Sequence, residues 1–305
     1  MSLSNVAASV RQRLLNRARE EGEDVQRLLV RYALERLLYR MSLSDWHDQF
    51  VLKGAFTFLL WQGTLHRPTR DLDLMGYGSP EPRAVEDVFR AITGMDEGLE
   101  DGLQFDPSSV TAAPIREQAE YDGIRVKLTA YLGSARIPLQ IDVGFGDAIT
   151  PDPEFATFPA LLEFPAPRIR MYPRETVIAE KLHGMVRFGI ANTRMKDYYD
   201  LWFLSEHFPF EGTTLQRAIR ATFERRGTAL PDRRPVALTD NFARREEKGR
   251  QWEAFLARME LESSGLALSD AVHRGQVFLL PVLRALREEK PFRQTWPPSG
   301  PWDES

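Results

Sequence analysis

Asp71 and Asp73 stand two residues apart in the run Arg70–Asp–Leu–Asp–Leu–Met75, where acid and leucine alternate. Period-two alternation belongs to a strand, on which both carboxylates leave by one face while Leu72 and Leu74 point into a core. Two carboxylates so placed repel unless a cation lies between them, and Mg²⁺ with several oxygen ligands answers that need. Any half-exposed strand can show the same alternation, so the context has to decide. Upstream, Gly54 closes the apolar strand-like run Phe50–Val–Leu–Lys and opens a second run, Ala55 to Trp61, that suits a helix. Backbone N–H groups at such a turn could cradle a phosphate. Downstream, Asp142 lies inside the apolar run Leu139–Gln–Ile–Asp–Val143, where it is either a third acid of one site or a strand-end cap near Gly144.

The second half of the chain adds a cation and two more acids. Between Arg174 and Gly189 the apolar stripe of a helix is formed by Val177, Ile178, Leu182, Met185 and Phe188, and Lys181 falls inside it. A lysine there must either snorkel to water or meet an anion, such as a nucleotide's phosphates. In the next helix Asp197, Asp200, Leu201 and Leu204 share one side at i, i+3, i+4 and i+7. Asp197 can cap that helix or meet its dipole. Asp200 lies a turn further in, so it either holds Lys181 or Arg187 in place or reaches an active site. Arg225–Arg226, Arg233–Arg234 and Arg244–Arg245 form a sparse basic series, either solvated surface or an RNA-backbone groove.

These residues need elements to position them. A helical leader is predicted at 6–19 and 23–41, with a turn at Ser44–Asp45. Strands follow at Phe50–Leu52 and Arg70–Met75, a helix at 80–93, and strands at Val110–Ala113, Gly123–Tyr131 and Arg136–Gly144. The last two strands form a hairpin across Gly133–Ser134. A Pro-rich connection then leads to helices at 174–189, 194–206, 213–225, 240–260 and 268–289. The fold class expected is α+β and bilobed. Its first domain, 1–165, joins the leader to a small mixed sheet, and its second, 166–290, is a mostly helical lobe. A tail, 291–305, is expected to be loosely ordered, although Trp296 and Trp302 could dock on the body.

Composition narrows the function classes. With no cysteine there is no disulfide framework, thiolate zinc site or cysteine nucleophile, and the five histidines lack metal-ligand spacing. A net charge of −4 argues against bulk electrostatic coating of nucleic acid but leaves a local basic groove open. The N-terminus lacks a basic start followed by an apolar stretch, and the longest apolar run is too short to span a bilayer. A cytoplasmic protein with no membrane attachment is therefore expected.

The order of a glycine turn, Asp-x-Asp and a third Asp on a neighbouring strand resembles the layout of polymerase-β-type nucleotidyltransferases. Three acids suit two metal ions that bind a triphosphate and activate an attacking hydroxyl. More narrowly, four runs together resemble the AbiEii/AbiGii toxin family of nucleotidyltransferases, over the chain to about residue 260. They are Leu34–Glu–Arg–Leu–Leu–Tyr–Arg–Met41, Phe50–Val–Leu–Lys–Gly–Ala55 with Arg67–Pro–Thr–Arg–Asp–Leu–Asp–Leu74, Glu175–Thr–Val–Ile–Ala–Glu–Lys–Leu–His183, and Arg194–Met–Lys–Asp–Tyr–Tyr–Asp–Leu201. The resemblance implies that Asp71 and Asp73 bind metal, that Lys181 contacts the incoming nucleotide, and that an acid of the Asp197/Asp200 pair completes the site. Asp142 is expected to join the two acids in holding Mg²⁺ or Mn²⁺, and Gly54, Ala55, Arg70 and Asp197 are expected at the NTP. The resemblance further implies nucleotide transfer to RNA, above all the 3′ end of tRNA, by a toxin with a cognate antitoxin encoded nearby. The usual Gly-Ser or Gly-Gly turn is Gly54–Ala55 here, so regulation through modification of a serine at that turn is not expected. Two other readings stand beside this one: transfer to a protein or small-molecule hydroxyl, and a degenerate protein that binds nucleotide without catalysis.

Overall fold

Apolar residues at helical spacing, Ala7, Val10, Leu14 and Ala18, become the buried stripe of helix α1 (Leu3–Glu21). Helix α2 (Val25–Leu43) is started by Asp24, whose side chain accepts the Arg27 N–H, and it is buried nearly all round. The computed structural model describes residues 3–95, 99–115 and 123–304. Met1, Ser2 and Ser305, on which the expectations for the two ends partly rest, lie outside them. The chain divides into two units, Met1–Gly146 with Glu154–Met171, and Asp147–Pro153 with Tyr172–Ser305.

In the first unit the leader helices are followed by β1 (Phe50–Lys53), α3 (Thr57–Gln62), β2 (Leu72–Gly76) and α4 (Pro82–Thr93). Then come β3 (Leu103–Pro114), β4 (Ile124–Leu132), β5 (Ala135–Phe145), β6 (Glu154–Thr157) and β7 (Arg168–Met171). They form one mixed seven-stranded sheet in the order β3-β4-β5-β2-β1-β7-β6, with β2 parallel to β5 and antiparallel to β1. The β4–β5 hairpin pairs from Ile124↔Val143 to Leu132↔Ala135. One face of the sheet carries Leu52, Leu72, Leu74, Val126, Leu128, Leu139, Ile141 and Val143, all buried in a common core with α1, α2 and α4. The alternate residues, including Asp73, Arg125, Lys127, Gln140 and Asp142, leave by the other face.

Charged residues of α2 hold the loops to this core. The Arg40 guanidinium donates to Asp101 Oδ2 at 2.8 Å with both groups buried, and Asp101 Oδ1 accepts the Leu103 N–H at 3.1 Å. Glu35 Oε2 accepts the Leu161 N–H at 2.7 Å while Arg36 donates to the Pro165 carbonyl at 2.8 Å. Burying such groups costs energy unless each finds a partner, so α2 selects one arrangement of the 101–103 and 161–165 segments.

The second unit contains α5 (Arg174–Phe188), α6 (Met195–His207), β8 (Phe210–Glu211) and α7 (Gly212–Arg225). It continues with α8 (Asp240–Ala243), α9 (Glu246–Arg258), α10 (Leu268–Arg287), β9 (Gln294–Trp296) and β10 (Asp303–Glu304). The single helix expected over 240–260 is two, because Arg245 takes an extended conformation and starts α9 afresh. The boundary expected at 165 moves to Met171, since the Pro-rich connection contributes β6 and β7 to the sheet. Its prolines fall outside the paired residues, where a missing N–H does no harm, and four-residue strands leave little periodicity to read.

The tail also departs from expectation. Strand β9 pairs with β8, and Trp296 is fully buried, its indole N–H donating to the Ser205 carbonyl at 2.7 Å. Trp302 stacks on Phe278 and donates to its carbonyl at 2.8 Å. The aromatic residues thus outweigh the local content of Pro and Gly. Trp296→Ala should therefore cost about 3–5 kcal/mol, measured by urea unfolding, whereas a tail lying loose in solvent would make the change nearly silent.

Candidate functional site

The register of the sheet builds the first cluster. Asp73 is the direct partner of Lys53 on β1 and of Asp142 on β5, and Asp142 is in turn the partner of Arg125 on β4. Cross-strand partners share a face at a spacing of about 5 Å. The exposed face therefore carries a row running cation, acid, acid, cation across four adjacent strands. Asp71 lies just before β2 and is exposed, whereas Asp73 is half-buried.

Gly54 ends β1 and packs against this row. Its φ is +71°, and a Cβ there would come within 2.1 Å of Asp73 Oδ2. Only glycine allows the backbone this close to the carboxylate. The turn continues as a short 3₁₀ segment, Gly54–Phe56, and the Thr57 hydroxyl donates to the Gly54 carbonyl at 2.7 Å. Ala55 is buried, and Arg70 is exposed next to Asp71.

Arg125 is the residue that motif reading missed. Its Nε and Nη2 donate to the two oxygens of Asp142 at 2.9 and 2.8 Å, a bidentate pair. The signal was present: a turn centred on Gly133–Ser134 sets Arg125 opposite Asp142 by simple counting along the hairpin. Among the described residues, no three or more His, Cys, Asp or Glu side chains gather as a metal site. Asp71 and Asp73 nevertheless present hard oxygen donors beside a cradle that any Cβ would fill. Mg²⁺ bound through one or two carboxylates completes its shell with water and substrate phosphates, so the residues fit such an ion.

The second unit carries a cluster of its own. Lys181 on α5 donates to Asp197 Oδ1 at 3.0 Å and Asp200 Oδ2 at 2.7 Å, both from α6, and the two acids are almost wholly buried. Arg194 pairs with Asp197 Oδ2 at 2.8 Å. Burial by itself would raise the Asp197 pKa, but Lys181 and Arg194 outweigh it and hold the carboxyl below its ordinary value.

Arg226 does not belong to an exposed basic series. It is drawn into the second unit, donating to Asp147 Oδ1 at 2.8 and 3.2 Å and approaching Glu180 at 3.5 Å. A further nitrogen lies 3.2 Å from His183 Nδ1, and His183 Nε2 lies 2.8 Å from the Thr228 hydroxyl. A guanidinium has no acceptor to offer, so Nδ1 accepts and Nε2–H donates, which fixes one neutral tautomer. Burial, with the Arg226 charge second, pulls the His183 pKa down to about 4.

Two expectations follow from these surroundings. Gly63 has φ +80° with open space around it, so Gly63→Ala carries only the backbone strain, about 1–2 kcal/mol. Gly54→Ala adds the collision with Asp73 and should be less stable than Gly63→Ala in urea unfolding; equal losses would mean that the carboxylate yields freely. His183 is the second case. Because its folded pKa lies below the ordinary 6.5, the unfolded chain binds the extra proton first as pH falls. Its contribution to stability is complete above pH 6.5 and drains away toward pH 4, and His183→Gln should flatten the upper part of that slope.

The family profile described as nucleotidyl transferase AbiEii toxin, type IV toxin–antitoxin system, matches residues 36–274. Among curated proteins nothing matches. Two solved structures from Helicobacter pylori are similar across most of their length. JHP933 is 13% identical, with a TM-score of 0.47, over 84% of this chain and 92% of that one. A second protein, named only provisionally as a nucleotidyltransferase, is 14% identical, with a TM-score of 0.44, over 85% and 95%. Since the profile covers most of the chain, including both acidic clusters, this protein belongs to the AbiEii family of nucleotidyltransferase toxins.

Proposed function

We propose that the protein transfers a nucleoside monophosphate from an NTP to RNA, with the 3′ end of tRNA as acceptor, using Mg²⁺ or Mn²⁺ held by Asp71 and Asp73. The observation that supports this most is the charge row on the sheet, with Gly54 pressed against Asp73. Chemistry of this class needs position and charge neutralisation more than covalent help from the protein. What a divalent ion supplies when bound there is polarisation of the phosphoryl oxygens and a more acidic acceptor hydroxyl.

The chain's own residues do the rest. The glycine turn gives the triphosphate close access to backbone, and Arg70 supplies a guanidinium for it. In the second unit, Asp197 and Asp200 hold Lys181 in place as a point charge of the kind that suits phosphate. The acceptor oxygen forms a new bond to the α-phosphorus, the bond from that phosphorus to the β-bridging oxygen breaks, and pyrophosphate leaves. Asp142 takes the hydroxyl proton, on a lone pair that its two hydrogen bonds with Arg125 leave open. The protein works in the cytoplasm as a toxin whose antitoxin is encoded nearby; among the described residues no helix is long and apolar enough to cross a membrane.

One observation favours a second reading, nucleotide binding without transfer: Arg125 already neutralises Asp142. Incubation with Mg²⁺, each α-labelled NTP and total tRNA separates the two. Label should move to tRNA, and Asp73→Asn should reduce transfer at least about a thousandfold, or about 4 kcal/mol of barrier, with an unchanged circular dichroism spectrum. Label on protein or small-molecule hydroxyls instead would move the acceptor class. Bound NTP without pyrophosphate release would establish the second reading, and unfolding of Asp73→Asn would make the acids structural.

A further inference from the structure

Strand β2 begins only at Leu72, opposite Ile141, so the first half of β5 runs on with β4 on one side and residues 70 and 71 across a gap on the other. That gap is a cavity of about 590 Å³, inside the range of ligand pockets, about 300–1,000 Å³. Val30, Leu128, Pro138 and Leu139 contribute carbon surface to it. Three cations surround that surface, Arg27 from the first turn of α2, Lys127 from β4 and Arg136 from β5, and Arg70, whose guanidinium is assigned above to the triphosphate, also lines it. Asp71 forms part of the wall.

We propose that this cavity seats the terminal nucleotides of a single-stranded RNA acceptor, with the 3′ hydroxyl turned to Asp71. The inference rests on the transferase reading above and names the subsite that reading lacks. A ligand for these walls must combine a flat, weakly polar body with several negative charges. A strand of nucleic acid does so, its bases lying on carbon and its phosphates reaching the cations. The incoming NTP has the same chemistry but a different place. The sheet order is β5-β2-β1, so the cavity lies on the β5 side of the acids while the Gly54 turn lies on the β1 side. Donor and acceptor thus approach the β2 carboxylates from opposite flanks, as in-line displacement requires. The net charge of −4 then poses no obstacle, because the attraction is local and sits beside the reacting end of the strand.

The test uses a fluorescent 12-nucleotide single-stranded RNA with a free 3′ hydroxyl, wild-type protein, and the double variant Lys127→Glu/Arg136→Glu. Both side chains are exposed, so the variant should melt with the wild type. Fluorescence anisotropy should show RNA affinity falling at least about tenfold, with a salt dependence shallower by about one to two charges. Affinity for NTP, read by calorimetry, should stay within about twofold. As a measurement that needs no variant, a photoreactive 4-thiouridine at the 3′ end should crosslink wild-type protein at residues of this cavity.

Unchanged RNA affinity in a folded variant, or crosslinks confined to residues elsewhere, would overturn the subsite. So would a wild-type protein that does not bind the RNA at all. The transferase reading fails by a different sign: RNA bound and crosslinked in the cavity, yet no label transferred to it from any NTP. Transfer to the oligonucleotide with a KM unaffected by the double variant would keep the transferase and discard the subsite.

Discussion

Asp73 and Asp142 face each other across the parallel pairing of β2 and β5, and two like charges so placed repel through the middle of the sheet. Much around them answers that repulsion. Lys53 and Arg125 close the row at its two ends, the second with a bidentate grip on Asp142. The register itself cannot slip to relieve the strain. A shift of one residue would turn Leu72, Leu74, Ile141 and Val143 out of the core and the acids into it. The hydrophobic energy of the buried face thus enforces an electrostatically unfavourable arrangement on the open one. Such enforced proximity is the condition under which an added cation binds tightly.

The second unit manages charge in another way. Lys181 and its two acids are almost enclosed, and in that setting the three groups hold one another fixed. Arg226 is likewise spent inside the unit, where Asp147, Glu180 and His183 surround it. A guanidinium of that kind shapes the interior instead of attracting a partner. The paired arginines of the sequence therefore differ in kind once folded, although they look alike on the page.

What could be read from the chain, and what could not, divides along the same lines. Helices α1, α2, α5, α6, α7 and α10 were legible because an apolar stripe repeats over many residues, and so was the hairpin of β4 and β5. The Asp71/Asp73 pair and the glycine turn were visible as motifs, and Lys181 stood out because it interrupts an apolar stripe. Strands β6 and β7 were hidden by neighbouring prolines and by their brevity, and β8 and β9 by a pairing that spans most of the helical unit. Arg125 was missed for a different reason. Its importance lies in what stands opposite on the next strand, which a linear motif does not contain. The basic cavity was beyond motif reading altogether, since it is assembled from a helix start, two strands and a loop.

The path of the chain between the units carries a last consequence. The backbone passes from the first unit to the second after Gly146, returns at Glu154 and leaves again after Met171. Neither unit is one continuous stretch, so no single cut yields two complete halves. A fragment stopped at 165 would lack β7, and with it the parallel neighbour of β1 that supports the glycine turn. Recombination that swaps whole segments between relatives would meet the same obstacle. The sheet and the helical unit are thereby bound to be inherited, and to diverge, together.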